Sequence, residues 1–263
     1  MKPVPFTRRL VVLVALVATA GAAGGCAQGR QADRAVFDSG YAALEAGRYD
    51  RAVKDFSLYL RQDPDSPNRG EVYYYRGQAL VHLKRPDEAK ADFLRAIGAG
   101  VREPVDQYAR VALGNLYYEE ANDVEAVKQY AAVLQDPHDE VPVPMVLLRT
   151  GVALQRLGKW DSGRQYLHYL VAHYPKTAPA RQAMRYLQAD AFRVQTGAFA
   201  SRTTAATEAR RVVAAGFPAR LEQVNRNGRP LTVVQVGQAR TYAEATVLAS
   251  RLRSAGFDTL IVP

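Results

Sequence analysis

Small and aromatic residues return along the first two thirds of the chain at a fixed step. Gly40, Gly77, Gly114 and Gly151 stand 37 apart, as do Ala52, Ala89, Ala126 and Gly163, and Phe56, Phe93, Tyr130 and Leu167. Within each step the apolar positions follow a helical period twice. Val36, Gly40 and Ala43 share one face of a first helix, and Ala52, Phe56 and Tyr59 one face of a second. The spacing predicts four helix pairs over residues 33–176. Small residues let paired helices approach, and the aromatic or aliphatic residue fills the gap to the next pair. Pro64 and Pro175 close their units where a helix must stop. Ala180, Met184 and Leu187 predict a closing helix over 177–190.

From residue 191 the period changes. Phe192–Gly197 and Leu231–Gly237 alternate as strands do, and Ala/Arg/Leu-rich runs follow each, Thr203–Ala215 and Tyr242–Ala255. Gly216 and Gly256 stand where a left-handed helix cap is wanted, each before a second strand. Val194-Gln195-Thr196-Gly197 recurs 40 residues later as Val234-Gln235-Val236-Gly237, and Ala215-Gly216-Phe217 as Ala255-Gly256-Phe257. Two anchors at one offset argue for a duplicated unit, and two units give βαββαβ with both helices on one face of the sheet. The fold class is thus an all-α solenoid followed by a small α/β module. Alternation turns Phe192, Val194, Thr196, Thr232, Val234 and Val236 toward the helices. Arg193, Gln195, Gly197, Val233 and Gln235 are expected on the open face.

The helical array resembles tetratricopeptide (TPR) repeats. Gly at the eighth position, Ala at the twentieth, an aromatic residue at the twenty-fourth and Pro at the thirty-second carry the likeness. The basic repeat is about 34 residues; the longer step here fits extended inter-repeat loops such as Asp65–Arg69. Gly163 replaces the usual Ala, and Val101 and His138 stand where Pro is expected. The resemblance implies a concave groove for partner proteins, lined here by Phe37, Tyr41, Tyr74, Gln78, Tyr108, Asn115 and Leu148 among others. Aromatics and amides suit an extended peptide or a partner helix.

Val194-Gln195-x-Gly197-x-Phe199, with its partial echo at Val234, resembles the sporulation-related repeat (SPOR) domain. The likeness covers residues 191–263. It implies binding to peptidoglycan glycan strands stripped of their stem peptides, typically at division septa, and points to Gln195 and Ser201. With the open-face alternation, the expected glycan contacts are Arg193, Gln195, Ser201, Val233 and Gln235. Thr232-Val233-Val234-Gln235 departs from the Tyr-Arg-Val-Arg frequent in relatives, and Ala198 replaces a frequent Ser.

Lys2, Arg8 and Arg9 precede a short apolar run, Leu10–Ala20, and then small residues up to Cys26. This order reads as a secretory signal over 1–25. Ala23-Gly24-Gly25-Cys26 resembles a bacterial lipobox, which implies lipid attachment at Cys26 and a membrane anchor; residues 26–32 are expected as a short tether. Ala27 favours the outer membrane by the same resemblance. Cys26 is the single cysteine, so no intrachain disulfide forms.

The net charge is +9, and its placement matters more than its size. Residues 1–25 hold three of the cations, whereas 191–263 hold ten Arg, no Lys and four acids; the stretch between is neutral. A basic terminal module implies a polyanion or polar-polymer partner. One RNA-binding domain shares the βαββαβ order, but it stacks bases on aromatics of its central strands. The open face predicted here has none, and a secretory signal removes RNA from reach, so no nucleic acid is expected. The four His are scattered, no phosphate loop is present, and Asp136–Glu140 reads as a solvated loop. Neither enzyme activity, cofactor nor metal is expected. The reading is a lipid-anchored, periplasm-facing adaptor between the wall and envelope or divisome proteins. The alternative is an outer-membrane assembly scaffold whose terminal module binds protein.

Overall fold

The computed structural model describes residues 24–99, 104–226 and 228–263, with side chains from Arg34 on. Most of the expected signal segment, residues 1–23, lies outside them. Packing divides the chain into two compact units, 1–116 and 117–263.

The first unit holds α1 (Gly24–Glu45), α2 (Tyr49–Gln62), α3 (Arg69–His82), α4 (Pro86–Gly98) and most of α5 (Val105–Glu119), within which the division falls. Residues 26–32, expected as a short tether, belong to α1. A helix advances about 1.5 Å per residue against about 3.3 Å for extended chain, so the reach from Cys26 is halved.

The repeating glycines have a steric cause. A Cβ on Gly40 would stand 2.8 Å from the Phe56 ring, and one on Gly77 2.7 Å from the Phe93 ring. Phe56, Phe93, Ala52 and Ala89 are fully buried. The predicted spacing is therefore a knob and its socket, repeated. Arg76 on α3 adds a polar clamp: it donates to both carboxylate oxygens of Asp92 on α4, at 2.7 and 2.8 Å, and to Ser57 on α2 at 3.0 Å.

A further period of 37 is visible only in the backbone. The turns between paired helices place Gly47 at φ 70°, Lys84 at 58°, Ala121 at 58° and Gly158 at 78°. Glycine enters this left-handed region freely; Lys and Ala do so at a cost.

The second unit continues with α6 (Asp123–Leu134), α7 (Val143–Arg156), α8 (Trp160–His173) and α9 (Ala178–Leu187). Here a Cβ on Gly151 would stand 2.7 Å from Leu167 and 3.0 Å from the carbonyl of Gly163. The closing helix α9 forms as expected, but its inward face is Ala180, Ala183 and Leu187; Met184 is exposed. Small residues let α9 lie close on α8, and Met184 sits one position round from that seam.

The terminal module runs β1 (Phe192–Phe199), α10 (Arg202–Ala214), β2 (Ala219–Arg226), β3 (Arg229–Ala239), α11 (Tyr242–Ser254) and β4 (Leu260–Val262). The sheet order is β2-β3-β1-β4, and each neighbouring pair is antiparallel. Both helices cover one face, where Val194, Val234 and Val236 pack on Ala205, Val212, Ala249 and Leu252. Gly216 and Gly256 end the two helices at φ 87° and 85°, and each is followed by a buried Phe. Thr241 and Glu244 start α11 with reciprocal bonds between side chain and main chain.

The pairing of β1 with β3 departs from a simple ladder twice, the first time between Phe192 and Val194. The register of β1 against β3 shifts between Gln195 and Gly197, leaving Thr196 as a bulge. Gly197 is consequently turned to the helix side, and a Cβ on it would stand 2.5 Å from the Phe199 ring. The Gly-x-Phe pair is one packing device: Phe199 folds back over the bare backbone of Gly197 and meets the core.

The module is packed against the end of the helices within this unit. Trp160, Phe192, Ala239 and Ala245 form a buried cluster flanked by Tyr242. The Trp160 and Phe192 rings lie 5.1 Å apart. The guanidinium of Arg156 stands 4.3 Å from the Tyr242 ring centre and 4.9 Å from that of Tyr118.

Candidate functional site

The sheet face away from the helices holds the predicted glycan residues, but it is not open. Gln195 and Gln235 are directly paired across β1 and β3, as their equivalence requires, yet each is only 7% exposed. Val233, expected as a contact, is fully buried. The glutamines are engaged from β2. Arg220 donates from Nη2 to Gln235 Oε1 at 3.0 Å, and Arg226 Nη2 to Gln195 Oε1 at 2.9 Å. Arg220 pairs with Gln235 in the register, whereas Arg226 lies six residues further along β2, with β3 between its strand and Gln195. For it to reach Gln195, the β2–β3 ribbon must curl over the sheet. The face is a trough with an amide floor and arginine walls.

Arg193 is also largely withdrawn. Its Nη2 donates to Asp190 at 2.8 Å, and its side chain is 12% exposed. That hydrogen bond holds the Asp190 carboxyl below the usual carboxylate range. Ser201 is exposed and caps α10, its hydroxyl accepting from the Thr204 amide at 3.4 Å. Arg220, Arg226 and the half-exposed Leu260 beside Gln195 face outward from this trough, together with Glu222, 3.6 Å from Arg220 Nη2. Sequence reasoning missed both arginines; their even spacing on one strand was the available signal. Amide and guanidinium groups together donate and accept in the pattern that sugar hydroxyls and N-acetyl groups need.

The second candidate surface lies on the first helices of the repeats. Phe37 and Tyr41 on α1, Tyr74 and Tyr75 on α3 and Tyr108 on α5 form a continuous aromatic cluster. Ring centres are 6.5 Å apart for Phe37–Tyr41, 5.1 Å for Tyr41–Tyr75, 5.3 Å for Tyr74–Tyr75 and 6.1 Å for Tyr74–Tyr108. Tyr75 was not among the predicted residues, yet it stands at the centre of the cluster. Tyr74 is buried, and Gln78 donates to its hydroxyl; burial raises that phenol to about 12. Asn115 is half-buried on α5. Leu148, expected in the groove, belongs instead to the core of the second unit, 3% exposed among Leu167, Leu170 and Ala183. Its helix turns that position toward α8 and α9.

The TPR model matches residues 18–67, 37–100 and 74–140, and a second TPR model matches 145–177. The SPOR domain model matches residues 188–263. The chain is a TPR array with a C-terminal SPOR domain. No curated protein matches it. Among solved structures, MamA of AMB-1 is 21% identical, with 60% of this chain and 80% of that one covered at a TM-score of 0.50. A tetratricopeptide repeat protein from Parabacteroides merdae ATCC 43184 is 16% identical, covering 60% of this chain and 59% of that one at a TM-score of 0.53. This chain thus spans less than two thirds of the latter. These likenesses establish the helical solenoid fold. TPR and SPOR domains are binding modules, and together they support a cell-envelope adaptor.

The remaining chemistry of this TPR–SPOR chain is already engaged within it. His82 stacks on Tyr49 with ring centres 4.2 Å apart, and His173 on Tyr169 at 3.9 Å. A hollow of about 570 Å³ beside Trp160 is lined by Arg164 and Asp190, which pair with Asp161 and Arg193. No group of metal-ligating side chains occurs among the described residues.

Proposed function

We propose that the protein is a lipid-anchored adaptor of the cell envelope. Its SPOR trough binds peptidoglycan glycan strands, and its TPR surface holds partner proteins, in cell division or wall remodelling. The observation that carries the wall reading is the pairing of Gln195 with Arg226 and of Gln235 with Arg220. These bonds fix the amide oxygens and leave the remaining guanidinium hydrogens for a polar polymer. The contacts therefore move outward from the glutamines and Val233 to Arg220 and Arg226. Anchoring rests on Cys26 and places the protein facing the periplasm at the outer membrane; no helix of the described residues is long and apolar enough to cross a membrane.

Sedimentation with purified sacculi tests the wall reading. Arg220→Ala with Arg226→Ala should weaken retention tenfold or more while the circular dichroism spectrum is kept, and deletion of residues 188–263 should abolish it. Wild-type retention by the double variant defeats the assignment. Cys26→Ser should move the protein from the membrane to a soluble fraction or leave it unprocessed.

A further inference from the structure

The aromatic cluster of the first unit is bracketed by two carboxylates. The Tyr41 hydroxyl lies in hydrogen-bonding reach of Glu45, and the Tyr75 hydroxyl in reach of Glu71. Tyr41 and Tyr75 meet edge to face at 5.1 Å, so the two acids and two rings form one contiguous patch. Glu71 is half-buried, and burial raises its carboxyl above the ordinary value; the hydrogen bond from Tyr75 acts against that rise. Neither Glu45 nor Glu71 enters an ion pair among the described residues. Elsewhere in the array, acids find cations readily: Asp92 has Arg76 and Arg95, and Asp106 has Arg110.

A desolvated carboxylate without a cation is costly to keep in a folded protein. Aromatic faces beside it attract a cation through their ring quadrupoles. Rings spaced along successive helices also suit an extended chain whose prolines lie against them. We infer that this TPR surface takes an extended, proline-containing segment of a partner protein and seats a lysine or arginine of that segment between Glu45 and Glu71, against Tyr41 and Tyr75. The inference rests on the partner-binding role proposed for the TPR surface, and it fixes the sign of the partner's charge. An acidic tail, the other occupant an array of this kind could hold, meets repulsion from both carboxylates.

The test is fluorescence anisotropy with the chain from Cys26 onward and three labelled peptides: four repeats of Pro-Pro-Lys, of Pro-Pro-Gln and of Pro-Pro-Glu. The lysine peptide should bind at least tenfold more tightly than the other two. Glu45→Gln with Glu71→Gln should erase the difference, and Tyr41→Ala should weaken the lysine peptide on its own. A peptide library displayed on phage, selected on the same chain, separates the two levels of the argument. Selected peptides that lack basic residues, yet lose binding in Tyr41→Ala, overturn the cation and keep the groove. No peptide sensitive to Tyr41→Ala overturns both. Equal binding of all three repeat peptides, or a lysine preference that survives the double Gln variant, also overturns the inference.

Discussion

The indole nitrogen of Trp160 donates to the main-chain carbonyl of Arg240, 80 residues later in the chain, at 2.8 Å. The donor is the first residue of α8 and the acceptor lies just ahead of α11, so this bond joins the last TPR pair to the SPOR domain. The ring also packs on Phe192 at the start of β1. A Thr241 methyl stands 3.2 Å from where a Cβ of Gly158 would lie, a tight contact in the turn before α8. Trp160→Ala should cost about 3–5 kcal/mol, the usual range for emptying a buried aromatic site. Calorimetry should then resolve SPOR unfolding from that of α7–α9. Trp160→Phe keeps the packing and loses the bond, and should cost about 1 kcal/mol. A single unshifted transition in the Ala variant contradicts the joint.

The left-handed turn position offers a gain. Lys84 and Ala121 occupy it at φ 58°, where their counterparts Gly47 and Gly158 are unstrained. A non-glycine residue there costs about 1–2 kcal/mol, partly offset by the smaller unfolded-state entropy of Lys or Ala. Lys84→Gly and Ala121→Gly should each stabilise the array by roughly 0.5–1 kcal/mol, read as a rise in the urea midpoint. A fall in midpoint would show that the turns are held by something other than backbone conformation.

Asp123, the first residue of α6, is buried with Arg156 Nη1 at 3.3 Å. Burial raises its carboxyl to about 6, outweighing the pull of the Arg156 charge. In the unfolded chain the same group titrates near about 3.9. Between these values the folded protein holds a proton that the unfolded chain lacks. The contribution of Asp123 to stability therefore rises as pH falls from about 6 to 4, by on the order of 2 kcal/mol, and is lost again as pH climbs. Asp123→Asn should flatten the melting temperature across that window. If the variant keeps the wild-type slope, another group is responsible.

Gly197 tests the motif from the packing side. Adding a methyl forces Phe199 off the core, so Gly197→Ala should destabilise the SPOR domain by about 1–3 kcal/mol. Gly197→Ala combined with Phe199→Ala removes the clash but leaves a cavity; it should not be worse than Phe199→Ala alone. Thermal denaturation of the three variants gives the coupling.

Much of the solenoid was legible because its repeat is written in side-chain size. The positions of Gly77 and Phe93 could be read from spacing, but the ring was expected in the gap to the next pair and it also packs on the glycine of its own pair. The left-handed turns escaped because Gly47, Lys84, Ala121 and Gly158 share a backbone torsion and no side-chain chemistry. In the sheet, alternation placed Val194, Val234 and Val236 on the helices. It could not show that Thr196 bulges and reverses Gly197, since a bulge is a property of the pairing and not of one strand. Nor could it reveal the curl that brings Arg226 to Gln195, or that Val233, expected in the open, is buried. Leu148 failed for a related reason: family positions give the sequence offset, whereas the orientation of α7 decides which side meets α8. The junction at Trp160 had no shared period to betray it.

The joint at Trp160 has a mechanical meaning. A module tethered by residues 188–191 alone could swivel, and tension on it would straighten the tether before anything else moved. With an indole wedged beside Phe192 and bonded to Arg240, a pull on the sheet is passed sideways into α8. A wall strand held by this domain would thus tug on the last helical pair directly, and its direction of stress would be set by the geometry of one aromatic hinge pin.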